Sequence, residues 1–218
     1  MNLDRFKDNV ISLMSYPNGD DKFAALRVQT HGMASARLAK TINFAVKCLD
    51  KDEFYVEIGT FTGFTLISAG YENTQSCIGI DDLSCIDFFG GDNIDKAREN
   101  VRIILKNNLS TFGRHNLSHV ESDFRKVVFD ESNKKKMGIL LIDGKHTEEE
   151  VNETLAWADP YLSYNSLIFF DDVVMGTINK SICDLWKRGG ELLYYAATKN
   201  HHEVTGYGVA IMAIKRDA

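Results

Sequence analysis

Proline and cysteine are both scarce in this chain. Two prolines in 218 residues give little of the composition of a linker or a disordered segment. The four cysteines, Cys48, Cys77, Cys85 and Cys183, form no C-x-x-C pair and have no ligand spacing with histidines. They read as reduced thiols of a cytoplasmic protein. No apolar run reaches the roughly 18 residues that a bilayer span needs, so no membrane partner is expected. The segment MNLDRFKDNV lacks the basic and apolar blocks of a secretory signal. Positive charge is also short, with 25 Lys and Arg against 31 Asp and Glu and a net charge of -6. That balance argues against a nucleic-acid partner gripped through its phosphates. The one basic run, Lys134–Lys136, follows Asp130 and Glu131 and reads as a solvated loop. Internal repeats and low-complexity segments are absent as well. What remains is a chain that is 44% hydrophobic, enough for the core of one enzyme-sized domain. We read residues 1–50 as a helical extension belonging to that domain and 51–218 as its main body.

The most informative stretch is FYVEIGTFTGFTLISA, Phe54 to Ala69. Phe54, Tyr55, Val56 and Ile58 are bulky and β-favouring, Gly59 and Gly63 permit a tight turn, and Phe64, Leu66 and Ile67 resume at helical spacing. A turn at the carboxyl end of a strand, with helical N–H groups pointing outward, can hold a nucleotide-like ligand. A dinucleotide fingerprint requires a second glycine two residues after the first, and here that position is Phe61. The spacing G-x-x-x-G instead suits a cofactor without phosphate, such as S-adenosylmethionine (SAM). An ordinary strand-turn-helix with two convenient glycines is the competing reading. A second apolar strand, in SCIGIDDLS, ends in Asp81, at about the 20-residue offset where doubly wound sheets place the acid that accepts ribose hydroxyls. Asp82 reads either as part of that site or as a turn cap.

Taken together, EIGTFTG (57–63), IGIDD (78–82) and ESDF (121–124) resemble the successive cofactor motifs of class I SAM-dependent methyltransferases, over most of the chain from about Phe54 onward. The resemblance implies an α/β fold: a Rossmann-like, doubly wound, seven-stranded and mostly parallel sheet, its last strand antiparallel, with helices on both faces. It implies SAM as cofactor, with Glu57 near the methionine ammonium and Gly59, Thr60, Phe61 and Gly63 shaping the loop. Asp81 and Asp82 would then lie at the ribose, Asp123 at the adenine amino group and Phe124 beside the ring. Taken singly, Asp123 also reads as a loop cap after a strand HVES.

The stretch MGILLIDGKHTEEEVNETLAWADPYL (137–162) is similar to one branch, the small O-methyltransferases related to macrocin-type sugar O-methyltransferases and cephalosporin-hydroxylase-like proteins. Their fourth strand ends in an aspartate-glycine-aspartate turn. That similarity implies a divalent cation, magnesium by its hard oxygen chemistry, on Asp143, Asp171 and Asp172. Such a cation would chelate the acceptor and lower the pKa of its hydroxyl; the alternative is that Asp171 and Asp172 are ordinary loop acids. The second aspartate of the family turn is replaced by Lys145, whose charge would oppose the cation. Asp143, Lys145 and His146 are therefore the candidate catalytic residues. Lys145 can act as a base only if its pKa is depressed, whereas His146 titrates near neutrality unaided.

The rest of the chain reads as supporting structure. Thr147 and Glu150 fit a capping box, with Glu148 and Glu149 in the first turn of the helix. Pro160 marks the stop of that helix, and Asn165-Ser166 reads as a turn in which asparagine adopts the left-handed conformation. Helices are expected over Asp4–Met14, Ala34–Leu49, Asp92–Asn107 and Ile178–Arg188, and closing strands over ELLYYAA and YGVAIMAI. His201 and His202 read as a hairpin tip, because adjacent strand side chains face opposite ways. Phe61, the N-terminal helices around His31 and a lid over Asp87–Asn93 would line the acceptor pocket. The function expected is SAM-dependent, metal-assisted O-methylation of a small hydroxylated molecule, with a homo-oligomer formed through the N-terminal helices as one arrangement. Against it stand a NAD-dependent oxidoreductase on the same sheet and a catalytically silent SAM-binding interaction module.

Overall fold

The computed structural model describes residues 1–15, 22–84, 93–173, 178–202 and 206–216. Three helices come first, α1 (Leu3–Ser15), α2 (Lys22–Thr30) and α3 (Ala36–Val46). Strands and helices then alternate through β1 (Phe54–Ile58), α4 (Phe64–Gly70), β2 (Cys77–Ile80), α5 (Ile94–Phe112), β3 (Leu117–Val120), β4 (Met137–Ile142), α6 (Glu148–Ala158), β5 (Leu162–Asp171) and α7 (Ile178–Lys187). A hairpin of β6 (Glu191–His202) and β7 (Gly206–Lys215) closes the chain. The seven strands form one sheet in the order β3-β2-β1-β4-β5-β7-β6. β1 to β5 are parallel and β7 runs antiparallel between β5 and β6. The Rossmann-like sheet with an antiparallel last strand is thus present.

Strand alternation divides the core into two layers. Tyr55, Ile139, Leu141, Leu167, Phe169 and Ile211 face one way, onto Phe6, Val10 and Met14 of α1 and Leu38 and Ile42 of α3. Val56, Ile58, Leu140, Ile142, Ile168 and Phe170 face the other way, onto Val151 and Leu155 of α6 and Ile178, Ile182 and Leu185 of α7. A parallel sheet covered on both faces requires strands that are apolar at nearly every position, and β4, MGILLI, is buried throughout. A smaller cluster joins Phe23 and Leu26 of α2, Ala36 and Ala39 of α3 and Phe64 and Ile67 of α4. No helix among the described residues is long and apolar enough to cross a membrane.

Several sequence expectations shift. α2 was not foreseen, because in nine residues its buried face is only Phe23, Leu26 and Thr30. α5 runs five residues beyond Asn107, to Phe112, and β3 starts two residues before His119. Asn165 and Ser166 are not a turn; they lie within β5, paired with Lys215 and Ile214 of β7. Asn165 is not among the residues with positive φ. The extra length is absorbed by a register irregularity between Met137/Ile139 of β4 and Leu162/Leu167 of β5, a bulge in place of a loop. His201 and His202 end β6, where His202 pairs with Gly206. Cys48 and Cys77 are buried free thiols and Cys183 is an exposed one. Cys85 and all of the lid segment except Asn93 lie outside the described residues; Asn93 caps α5 by accepting from Lys96 N at 2.9 Å.

Candidate active site at the strand tips

Parallel doubly wound sheets bind ligands where the strand order reverses, outside the carboxyl ends of the strands. Here the reversal lies between β1 and β4. Asp143 N donates to Ile58 O at 2.9 Å and Gly59 N donates to Ile80 O at 2.9 Å, so the tips of β1, β2 and β4 are stitched together. Gly59 has φ +92°, and a Cβ there would lie 1.9 Å from Asp143 O. No side chain fits between these two backbones. Seven described residues other than glycine have positive φ. Four of them, Phe61, Leu83, His146 and Asp172, follow β1, β2, β4 and β5. Backbone strain gathered at the tips of adjacent strands is a mark of a working site.

Among the described residues Glu57 is the acid buried deepest. Because side chains alternate along a strand, it shares a face with Tyr55, whose hydroxyl donates to Glu57 Oε2 at 2.7 Å. Glu57 is fully buried. Burial raises its pKa to about 8, against the opposing pull of the Tyr55 hydroxyl. Its other oxygen, Oε1, and Thr60 Oγ1 are both buried without a hydrogen-bond partner. Buried polar atoms are seldom left so. Two of them at the mouth of a glycine turn match what the ammonium and carboxylate of an amino-acid-bearing cofactor would satisfy, so the residues fit SAM on this count. Tyr55 was missed by the sequence reading, although its position two residues before Glu57 was the available signal.

Asp81 is bound to the glycine loop. Its Oδ2 accepts from both Thr60 N and Phe61 N at 2.9 Å, and Oδ1 accepts from Leu83 N at 2.7 Å. The N–H groups expected to point at a ligand are thus held by this carboxylate. A carboxylate has about four acceptor sites, so one is left for a ribose hydroxyl. Asp82 is exposed and accepts from Ser84 N at 2.9 Å, a turn cap. Asp123 pairs with Arg125 through both oxygens, 2.8 Å to Nε and 2.9 Å to a terminal nitrogen. It also caps a single 3-10 turn by accepting from Arg125 N at 3.0 Å. The Arg125 guanidinium holds the Asp123 carboxyl below its usual range. Phe124 is buried, edge-on to Trp157 at 5.8 Å, with the Arg125 guanidinium 5.3 Å from its ring centre. In the structure Phe124 is therefore core, and its flank is occupied by Arg125. Phe61 turns its side chain towards Leu83, Val101 and Ala97. Gly63, at φ +86°, lies over Leu105 of α5.

At the tips of β4 and β5 the structure brings together Asp143, Asp171, Asp172 and His146. His146 Nε2 is 3.6 Å from Asp172 Oδ2 and 3.8 Å from Asp143 Oδ1. Burial, reinforced by the charges of Asp171, Asp172 and Glu57, pushes the Asp143 carboxyl well above its usual range. Asp171 rises to about 7 for the same first reason, with Asp172 adding to it. Burial lowers the His146 imidazole, against the pull of Asp172 and Glu150, so near neutral pH it is mostly an uncharged proton acceptor. Among the described residues no group of three or more His, Cys, Asp and Glu is arranged to hold a metal ion. The three carboxylates expected to ligate magnesium are neighbours, but His146 stands between Asp143 and Asp172, and the arrangement does not fit the cation.

Lys145 is exposed. The capping box is only half formed: Glu150 N donates to Thr147 Oγ1 at 3.2 Å, while Glu150 Oε1 accepts from Lys145 N at 2.9 Å and not from Thr147 N. Glu150 thereby fixes the turn that carries His146.

The sequence matches the model of a methyltransferase domain over residues 56–173. No curated protein matches it. Among solved structures, a provisionally assigned O-methyltransferase from Klebsiella pneumoniae is similar with a TM-score of 0.63 at 14% identity, covering 96% of each chain. The O-methyltransferase TomG from Streptomyces achromogenes, involved in tomaymycin synthesis and solved with SAM, gives 0.63 at 14% identity over 99% of this chain and 100% of its own. A precorrin-6y C5,15-methyltransferase from Geobacter metallireducens gives 0.58 at 16% identity over 84% and 90%.

Proposed function

The chain belongs to the methyltransferase-domain family, and from that premise we propose that it moves the methyl group of SAM to a hydroxyl oxygen of a small acceptor. The observation that carries this reading is the concentration of acids at the strand tips: Glu57, Asp143, Asp171 and Asp172 crowd one crevice with raised or mutually repelling carboxyls. A cation entering the site would let these carboxyls ionise, whereas an anion would drive them further towards the protonated form, so the site suits a sulfonium with an α-ammonium better than the phosphates of a dinucleotide. The NAD-dependent oxidoreductase alternative thereby loses ground, as it does by the family match. TomG, an O-methyltransferase solved with SAM, supports the oxygen acceptor.

When bound, SAM supplies a methyl group on positively charged sulfur. Glu57 Oε1 would hold the ammonium, and the remaining acceptor site of Asp81 would hold a ribose hydroxyl. His146 Nε2 would accept the proton of the acceptor hydroxyl whose oxygen takes the methyl group. Asp172, with its Oδ2 3.6 Å from Nε2, would stabilise the imidazolium that results. Lys145, exposed at the rim, is left to acceptor binding. No step is assigned to a metal ion.

Purified protein incubated with methyl-labelled SAM and a panel of catechols, sugars and other diols tests the proposal, with magnesium in one arm and EDTA in the other. Transfer of label to oxygen in either arm is the expected result, and dependence on magnesium would restore the cation. Failure of calorimetry to detect either SAM or S-adenosylhomocysteine would overturn the assignment.

A further inference from the structure

Asn108 lies on α5 and is buried. Its side-chain nitrogen donates to Thr62 O, inside the cofactor loop, at 2.8 Å. The same nitrogen donates to Thr30 O, the last residue of α2, at 3.0 Å. An amide nitrogen carries two N–H donors, and both are used on carbonyls of segments far apart in sequence. Around this bridge the two segments lie directly against each other. Thr62 Oγ1 donates to His31 O at 3.3 Å. Gly32 sits on the Phe64 ring so closely that a Cβ would approach to 2.4 Å. His31 itself has φ +56° and is exposed beside the loop. α5 also supports the loop from below, through Leu105 under Gly63 and Val101 and Ala97 against Phe61.

We propose that Asn108 is a positioning residue that clamps the α2–α3 turn, with His31, to the cofactor loop, so that the two segments order as one unit. The clamp rests on the methyl-donor reading only for its purpose; its existence is a matter of two hydrogen bonds. Replacing the amide by a carboxylate of the same shape sets oxygen against oxygen at both contacts.

The test is hydrogen exchange followed by mass spectrometry on the full chain, as wild type, Asn108→Asp and Asn108→Gln. In Asn108→Asp the amides of 28–34 and 60–65 should both exchange roughly tenfold faster, with the far half of the sheet, β5 and β7, unchanged. Asn108→Gln keeps both donors and should recover part of the protection. It also remains informative if the aspartate variant does not fold. S-adenosylhomocysteine added to wild type should protect both segments, and added to Asn108→Asp should protect only 60–65. Loosening of one segment without the other, or S-adenosylhomocysteine protection of 28–34 that survives in Asn108→Asp, would overturn the clamp. If S-adenosylhomocysteine does not bind wild type, the donor reading falls, and the clamp is judged by the paired loosening in the ligand-free proteins.

Discussion

Replacing Glu57 by glutamine should make the protein more stable and a poorer binder at once. The carboxyl titrates at about 8 when folded against 4.5 as an unperturbed group, because it is fully buried. For an acid whose folded pKa is raised, the native state binds the proton more tightly than the unfolded chain. The native state therefore carries no penalty below about pH 4.5. The penalty grows as pH rises from there to about 8 and is constant above. At roughly 1.4 kcal/mol per pKa unit, the ceiling is roughly 3 kcal/mol at pH 7 and roughly 5 kcal/mol above pH 9. Glutamine has the same shape and no proton to lose. Its carbonyl can keep the bond from the Tyr55 hydroxyl, now 2.7 Å from Oε2, and its NH2 can reach the Thr60 or Thr65 hydroxyl.

Thermal unfolding of Glu57→Gln at pH 7 should accordingly rise by roughly 6 to 12 °C at the ceiling, given about 2 to 4 °C per kcal/mol for a chain of this size. The gain should shrink towards pH 5 and widen towards pH 9. Calorimetry should show S-adenosylhomocysteine binding roughly 10- to 100-fold more weakly, the usual range for a lost hydrogen bond to a charged group. Equal stability of the two proteins from pH 5 to pH 9 would refute the claim that Glu57 holds its proton through burial. Unchanged affinity would refute its contact with the donor.

Three further outcomes follow from the same geometry. His146→Ala should lower the transfer rate by roughly 10²- to 10⁴-fold while leaving S-adenosylhomocysteine affinity within about threefold, and a full rate would remove it as proton acceptor. Asp81→Asn leaves one oxygen to serve N–H groups now shared between two, so melting temperature and donor affinity should fall together, the latter by roughly tenfold or more; loss of affinity at constant stability would mean that Asp81 acts only on the ligand. Gly59→Ala places a methyl group 1.9 Å from Asp143 O at φ +92°, and its expression should yield insoluble protein or a loss above about 4 kcal/mol by denaturant titration; a soluble variant of wild-type stability would contradict the close backbone approach.

The fold was legible because its signals are local. Apolar β4, the glycine turn after Glu57 and the run from Ile178 each declare their element within a dozen residues, and alternation of strands and helices then implies the parallel sheet. Where the reading slipped, a distant partner decided. Asn165 and Ser166 looked like a turn until β7 supplied Lys215 and Ile214 to pair with them. Asp81 is identified by its offset from the glycines, and its bonds from Thr60 N and Phe61 N, which exist only because β2 lies beside β1, add a role that the spacing does not show. Asp143, Asp171 and Asp172 were gathered correctly at adjacent strand tips, but whether acids at one place hold a cation or a proton depends on what else enters the space. Here it is His146, which residue spacing names as a neighbour of Asp143 and only the left-handed turn at φ +54° aims between the two strands. Asn108 had no signal at all, since an asparagine inside an amphipathic helix shows its purpose only through the two carbonyls it meets.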